Sequence, residues 1–143
     1  INLSIQHTSA SLIVQENADP DVQTDLINYF DKLAPMDNKL YIHTTEGKDD
    51  MPAHIKSALT NNQISLSIKN SELLLGTWQG LYLFEHRLHP QKRTIIHHFL
   101  GEVDWLKKGV FRPKMENKSA NKRYLLPILM NAKINFVLDN LKE

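Results

Sequence analysis

The sequence predicts one α+β domain, mainly antiparallel sheet after two helices. Three observations carry that expectation. The chain has 143 residues and 41% hydrophobic content, enough for one core. Apolar residues recur at strand spacing near the start and again after residue 63. Between these runs lie two segments with helix-start signals, and strand runs interrupted by helices fit an α+β domain better than a repeating βαβ unit.

Taken in order, residues 2–6 and 10–15 read as strands, with Leu3 and Ile5 and then Leu12, Ile13 and Val14 as their apolar positions. Asp19 can cap a helix with Pro20 in its first position, and Val22, Leu26, Tyr29, Phe30 and Leu33 form its apolar stripe. Residues 35–50 read as a polar loop, ended by Asp49 or Asp50 as the cap of a helix from Pro52 to Leu59. Alternation at Ile64, Leu66 and Ile68, a turn at Asn70-Ser71, and Leu73 and Leu75 predict a β-hairpin. Strands follow over residues 77–87 and 94–100, with Trp78 expected in the core. The tail has a Lys/Arg/Asn-rich stretch and then an apolar run broken by Pro127, from which a helix over residues 128–141 is expected.

The formal charge of +1 hides an asymmetry. Residues 1–102 carry 8 basic and 12 acidic side chains, net −4, whereas residues 103–143 carry 9 and 4, net +5. With no cysteine, disulfides, thiol nucleophiles and zinc fingers are excluded, and any metal site must use nitrogen and oxygen ligands. There is no run of 18 apolar residues and no signal-peptide pattern, so a cytoplasmic protein without a membrane partner is expected. The basic tail lacks interleaved aromatics and any known module, so a nucleic-acid partner is not expected.

Histidines and carboxylates supply the candidate chemistry. His43 and His54 are the best metal-ligand pair, since neutral imidazole suits zinc and a carboxylate or third imidazole can complete an open site. His54 is expected in the first helical turn, where the dipole disfavours imidazolium. The competing reading makes both ordinary surface or capping residues. His7 can be a third ligand or a general base, sharing a strand face with Ser9. No Gly-x-Ser-x-Gly elbow supports a serine nucleophile, so Thr8, Ser9 and Ser11 are read as anion-binding or strand-end hydroxyls. Glu46 can orient His43 or act as acid or base. Glu85 and His86 point to opposite faces of a strand, and a buried Glu85 needs a partner or a function. Lys56, Arg87 and Arg93 can hold phosphate or remain solvated cations. His89, His97 and His98 are read as structural or surface positions.

Four separated motifs, His7-Thr8-Ser9-Ala10-Ser11 after Gln6, Glu16-Asn17-Ala18-Asp19-Pro20, Glu46-Gly47 with Asp49-Asp50-Met51-Pro52-Ala53-His54-Ile55-Lys56, and Leu75-Gly76-Thr77-Trp78-Gln79-Gly80, resemble the YjbQ family from residue 1 to 102. Some members of that family are described as secondary thiamine-phosphate synthases. The resemblance implies a two-sheet β-sandwich with helices, assembled as a homotrimer. It implies a small phosphorylated substrate, with pyrimidine diphosphate and thiazole phosphate joined and pyrophosphate released. It implies catalytic roles for His7, Glu46 and Glu85, and substrate contacts from Thr8, Ser9, Lys56, Thr77, Arg87 and Arg93. A divalent metal, zinc first, is expected at His43, His54 and His7, with no organic cofactor. Family members carry about a third of the domain before the His-Thr motif and end near Leu100-Gly101-Glu102. The expectation is therefore an N-terminally incomplete domain at 1–102, with an exposed sheet edge, followed by a basic extension at 103–143. A non-catalytic metal- or ligand-binding trimer and an inactive truncated member are the competing readings.

Overall fold

The structure, a computed structural model, describes residues 1–69, 72–89, 91–98, 100 and 125–127. Leu3 and Ile5 alternate with Asn2 and Ser4 along β1 (Asn2–Ile5) and turn inward. Strand β2 (Ala10–Glu16) puts Ala10 and Leu12 on the same core, and the pairing of Leu12 with Leu83 in β6 (Gln79–Glu85) fixes their register. A shift by one residue would carry every apolar side chain to the opposite face.

Two three-stranded antiparallel sheets result. One has the order β3–β1–β7, with β3 at Gln63–Ser65 and β7 at Ile95–His98. The other has the order β2–β6–β8, with β8 at Leu125–Pro127. Their inner faces meet in a cluster of Leu3, Ile5, Ala10, Leu12, Leu81 and Leu83. On the far face of the second sheet, Tyr82 and Phe84 pack with Ile13 and with Leu26, Ile27 and Phe30 of α1 (Pro20–Leu33). The Phe30 and Phe84 rings meet edge to face, 5.4 Å apart. Asp19 caps α1 through the Asp21 amide at 2.9 Å, and Pro20 follows as expected.

Several expectations need correction. Helix α2 runs Asp50–Ala58, so His54 sits in its second turn rather than its first. The hairpin expected over 64–75 is present in its second half, where Ile68 pairs with Leu73 and Lys69 with Glu72, but not in its first. Strand β3 joins the first sheet, while β4 (Ile68–Lys69) and β5 (Glu72–Leu73) form a separate ribbon whose Asn70-Ser71 turn lies outside the described residues. Trp78 is 63% exposed, not a core aromatic. The 35–50 loop contains a 3-10 turn at Asn38–Leu40, capped by Asp37. Strand β8 pairs with β6 from Phe84↔Leu125 to Tyr82↔Pro127; proline lacks an amide proton, so it fits the edge of a sheet. The helix expected at 128–141 lies outside the described residues. Among the described residues, no helix is long and apolar enough to cross a membrane.

Candidate metal centre and adjoining cleft

Strand β6 delivers Glu85, His86 and Arg87 to one end of the second sheet, beside the start of β2 and the segment that opens α2. Asp49 occupies the N-cap position of α2 without capping it. Its carboxylate instead accepts from Arg87 Nε at 3.0 Å and from the Leu88 amide at 2.9 Å. The other arms of Arg87 donate to Asp50 Oδ1 and, at 2.9 Å, to the Glu46 carbonyl. This fork clamps the 46–50 segment to the end of β6. Gly47 makes the turn possible: its φ of +108° is a backbone conformation that side-chain-bearing residues rarely adopt.

Asp50 is thereby aimed at two imidazoles. His43 Nε2 lies 2.8 Å from Asp50 Oδ2, and His54 Nε2 lies 3.3 Å from the same oxygen, with the His54 ring one helical turn along α2. One ligand atom from each of His43, Asp50 and His54 falls within 4.8 Å of the others. Burial opposes ionisation of Asp50, but the His43 hydrogen bond and the Arg87 charge outweigh it and hold the carboxyl below its ordinary value. Burial likewise opposes ionisation of Asp49, and the Leu88 amide and Arg87 overcome it.

His54 Nδ1 lies 3.0 Å from the Thr8 carbonyl, which can only accept, so Nδ1 carries a proton. In the neutral ring the lone pair is then on Nε2, facing the carboxylate. Two acceptors facing each other need a cation between them, either a proton or a metal ion. The donor set of two imidazoles and one carboxylate, with outer partners Thr8 and Arg87, suits an open zinc site.

Beside His54 lies an open cleft of about 440 Å³ lined by His7, Thr8, Ser57, Thr60 and Asn62. His7 is exposed there, outside the three-residue cluster, with Nδ1 accepting from the Ser9 amide at 3.1 Å. Burial and then the Arg93 charge lower its pKa. Glu46 is exposed in the loop between His43 and Asp50.

The remaining expected site residues lie deeper or further away. Glu85 and Arg93 form a buried pair, with Nε to Oε2 at 2.7 Å and Nη2 to Oε1 at 2.5 Å. Ser9 is buried against Arg93. Lys56 is buried and bonds Asp31 at 2.6 Å, so all three cations expected at a phosphate are already held by carboxylates. Thr77 is exposed in the turn at the opposite end of β6. Two residues went unranked: Asp50, whose signal was its i,i+4 spacing from His54, and His86, buried with Nε2 2.9 Å from Ser11 Oγ. Burial pushes the His86 pKa down to about 3, aided by Lys56 and Arg93.

The comparisons follow the same outline. The UPF0047 protein YjbQ-like family matches residues 1–102. UPF0047 protein sll1880 of Synechocystis is 59% identical over 99 residues, 69% of this chain and 67% of the relative. UPF0047 protein YjbQ of Salmonella typhimurium is 47% identical over 102 residues, 71% of this chain and 73% of that protein. Among solved structures, the conserved hypothetical protein TT1486 from Thermus thermophilus superposes with a TM-score of 0.63 at 36% identity, covering 69% of this chain and 75% of the other. A YbjQ-like protein of unknown function from Sulfolobus solfataricus, at 16% identity and a TM-score of 0.57, shares the fold. By family match, sequence identity and superposition, the chain belongs to the YjbQ-like UPF0047 family.

Proposed function

We propose that His43, Asp50 and His54 hold a divalent metal, zinc first, and that the adjoining cleft is the active site of a metal-assisted enzyme. The observation that carries this reading is the lone-pair face of His54 Nε2 turned toward Asp50 Oδ2 at 3.3 Å, with Nδ1 anchored on the Thr8 carbonyl. Bound there, zinc supplies Lewis-acid polarisation of a ligand oxygen or lowers the pKa of a coordinated water. The protein's own groups then divide the remaining work. Arg87 orients Asp50, Thr8 fixes the His54 tautomer, and the cleft hydroxyls and the Asn62 amide position a small polar substrate. Glu46, an exposed carboxylate in the loop between His43 and Asp50, is the group proposed for proton transfer, and Glu85 holds Arg93 in place.

The finer reading is the transfer of a pyrimidine from its diphosphate to thiazole phosphate, in a cytoplasmic homotrimer. Lys56, Arg87 and Arg93 are committed to carboxylates, so the metal would carry more of the pyrophosphate charge than those cations. The second reading is a metal-binding module without catalysis, favoured by the same pairing of the cations.

The test is to purify the chain without chelators and measure bound zinc, oligomeric mass and thiamine-phosphate formation, then repeat with His43→Ala and His54→Ala. Stoichiometric zinc lost in both variants supports the metal centre, and turnover lost with it supports the transferase. Zinc without turnover supports the binding module. Absence of zinc, or its retention in both variants, refutes the metal centre.

A further inference from the structure

The geometry assigns His7 as a fixed hydrogen-bond donor into the cleft, held in its Nε2–H tautomer by Ser9 and Arg93, and not as a metal ligand. The assignment follows from groups that can act in only one direction. The Ser9 backbone amide lies 3.1 Å from His7 Nδ1, and an amide N–H can only donate, so Nδ1 must present its lone pair. In a neutral ring the proton is then on Nε2. The second constraint is one bond further out. Arg93 Nη2 lies 3.0 Å from Ser9 Oγ, and guanidinium has no acceptor, so Oγ accepts there and its own hydrogen is free for His7 Nδ1 at 3.0 Å.

The orientation is set from the interior. Ser9 is 1% exposed, and Arg93 is locked on Glu85 through two hydrogen bonds, so a buried ion pair dictates the protonation pattern of an exposed ring. No described residue bonds His7 Nε2, and the ring lines the cleft with His54. The group it serves is therefore an acceptor oxygen, a carbonyl or phosphoryl oxygen of a ligand lying beside His54. A proton on Nε2 also keeps that nitrogen from binding a metal, while the Ser9 donors occupy Nδ1. Ser9 and Arg93 are positioning residues: they act on a ligand only through His7.

The purpose of this donor rests on the cleft reading above, whereas the tautomer does not. The experiment is ring-nitrogen NMR of the 15N-labelled protein at neutral to mildly alkaline pH, with the His7 signals identified through His7→Gln. Wild type is expected to show Nδ1 unprotonated and Nε2 protonated. Ser9→Ala keeps the amide donor and removes only the hydroxyl, and is expected to raise the minor Nδ1–H population several-fold without making it dominant, whereas Ser9→Thr, which keeps a hydroxyl, restores the wild-type pattern. A dominant Nδ1–H tautomer in wild type overturns the assignment, and a Ser9→Ala spectrum identical to wild type, the amide alone then holding Nδ1 unprotonated, overturns the role of the Ser9 hydroxyl and Arg93. Zinc titration separates the two proposals. Added zinc is expected to shift His43 and His54 while His7 keeps its Nε2 proton, and loss of that proton makes His7 a ligand and refutes the inference. No response to zinc at any histidine sinks the metal centre and leaves the tautomer result standing.

Discussion

Among the described residues Lys56 is the largest fully buried side chain, and its ammonium bonds an Asp31 whose side chain is 34% exposed. Burial pushes its pKa from 10.5 down to about 8, against the pull of Asp49. Between about pH 8 and about pH 10, the folded lysine is neutral while the unfolded one remains charged. The unfolded state then binds more protons, so the contribution of Lys56 to stability rises with pH across that window and is flat below it. In urea unfolding, wild type is expected to gain about 2–3 kcal/mol relative to Lys56→Met over that interval. The raised Tyr82 pKa acts the other way near its own titration, but it is common to both proteins and cancels in the difference. A difference that does not change with pH would show that Lys56 keeps its proton when folded. The sequence offered this lysine as a phosphate holder because composition shows that a residue is cationic, not that Asp31, twenty-five positions earlier, already faces it.

At the scale of elements, helix α1 shows how far periodicity reaches. The expected stripe of Val22, Leu26, Tyr29, Phe30 and Leu33 has the right hand and spacing, yet contact with the sheet runs through Leu26, Ile27 and Phe30. Tyr29 and Leu33 are 63% and 50% exposed. A stripe fixes the face of a helix to within about one residue position, and the surface it meets chooses the rest. Phe30→Ala is therefore expected to cost about 2–4 kcal/mol, because Phe30 packs on Phe84, whereas Tyr29→Ala changes stability by less than about 1 kcal/mol. Thermal unfolding of the two variants decides between the stripes, and equal losses would refute the assignment. The strands were legible for the same reason as the helix, since alternation at Leu3, Ile5 and Leu12 survives in the core. Strand β8 was not legible, because Leu125 and Leu126 sit in an apolar run that suits a helix equally well, and only pairing with β6 decides. Within the site, His43 and His54 were visible as residue types. The choice of Asp50 depends on Arg87, thirty-seven positions away, turning one carboxylate oxygen and leaving the other for the imidazoles.

For the whole molecule, the candidate metal centre joins the 35–50 loop to α2 beside the end of β6. His43 comes from the 35–50 loop, Asp50 and His54 from α2, and the Arg87 fork connects that segment to β6. An ion bound only when these segments are in place stabilises the folded state by mass action. At a free concentration about a hundred times the dissociation constant, zinc is expected to add about 2.7 kcal/mol, a rise of roughly 8–10 °C in Tm for a domain of this size. Ligation needs unprotonated ligand atoms, so the rise should shrink in acid. Asp50 stays ionised further into acid than an ordinary aspartate, so its carboxylate remains available to the ion there. Chelation should reverse the shift, and His54→Ala should abolish it. Asp50→Asn should weaken it while also removing the charge that faces one arm of Arg87, so its baseline Tm falls even without zinc. Differential scanning calorimetry of these proteins with and without zinc separates the two contributions. A zinc-dependent rise of equal size in His43→Ala, His54→Ala and Asp50→Asn would place the ion elsewhere on the protein, and the cluster would then be a salt bridge whose protons do the work assigned here to a metal.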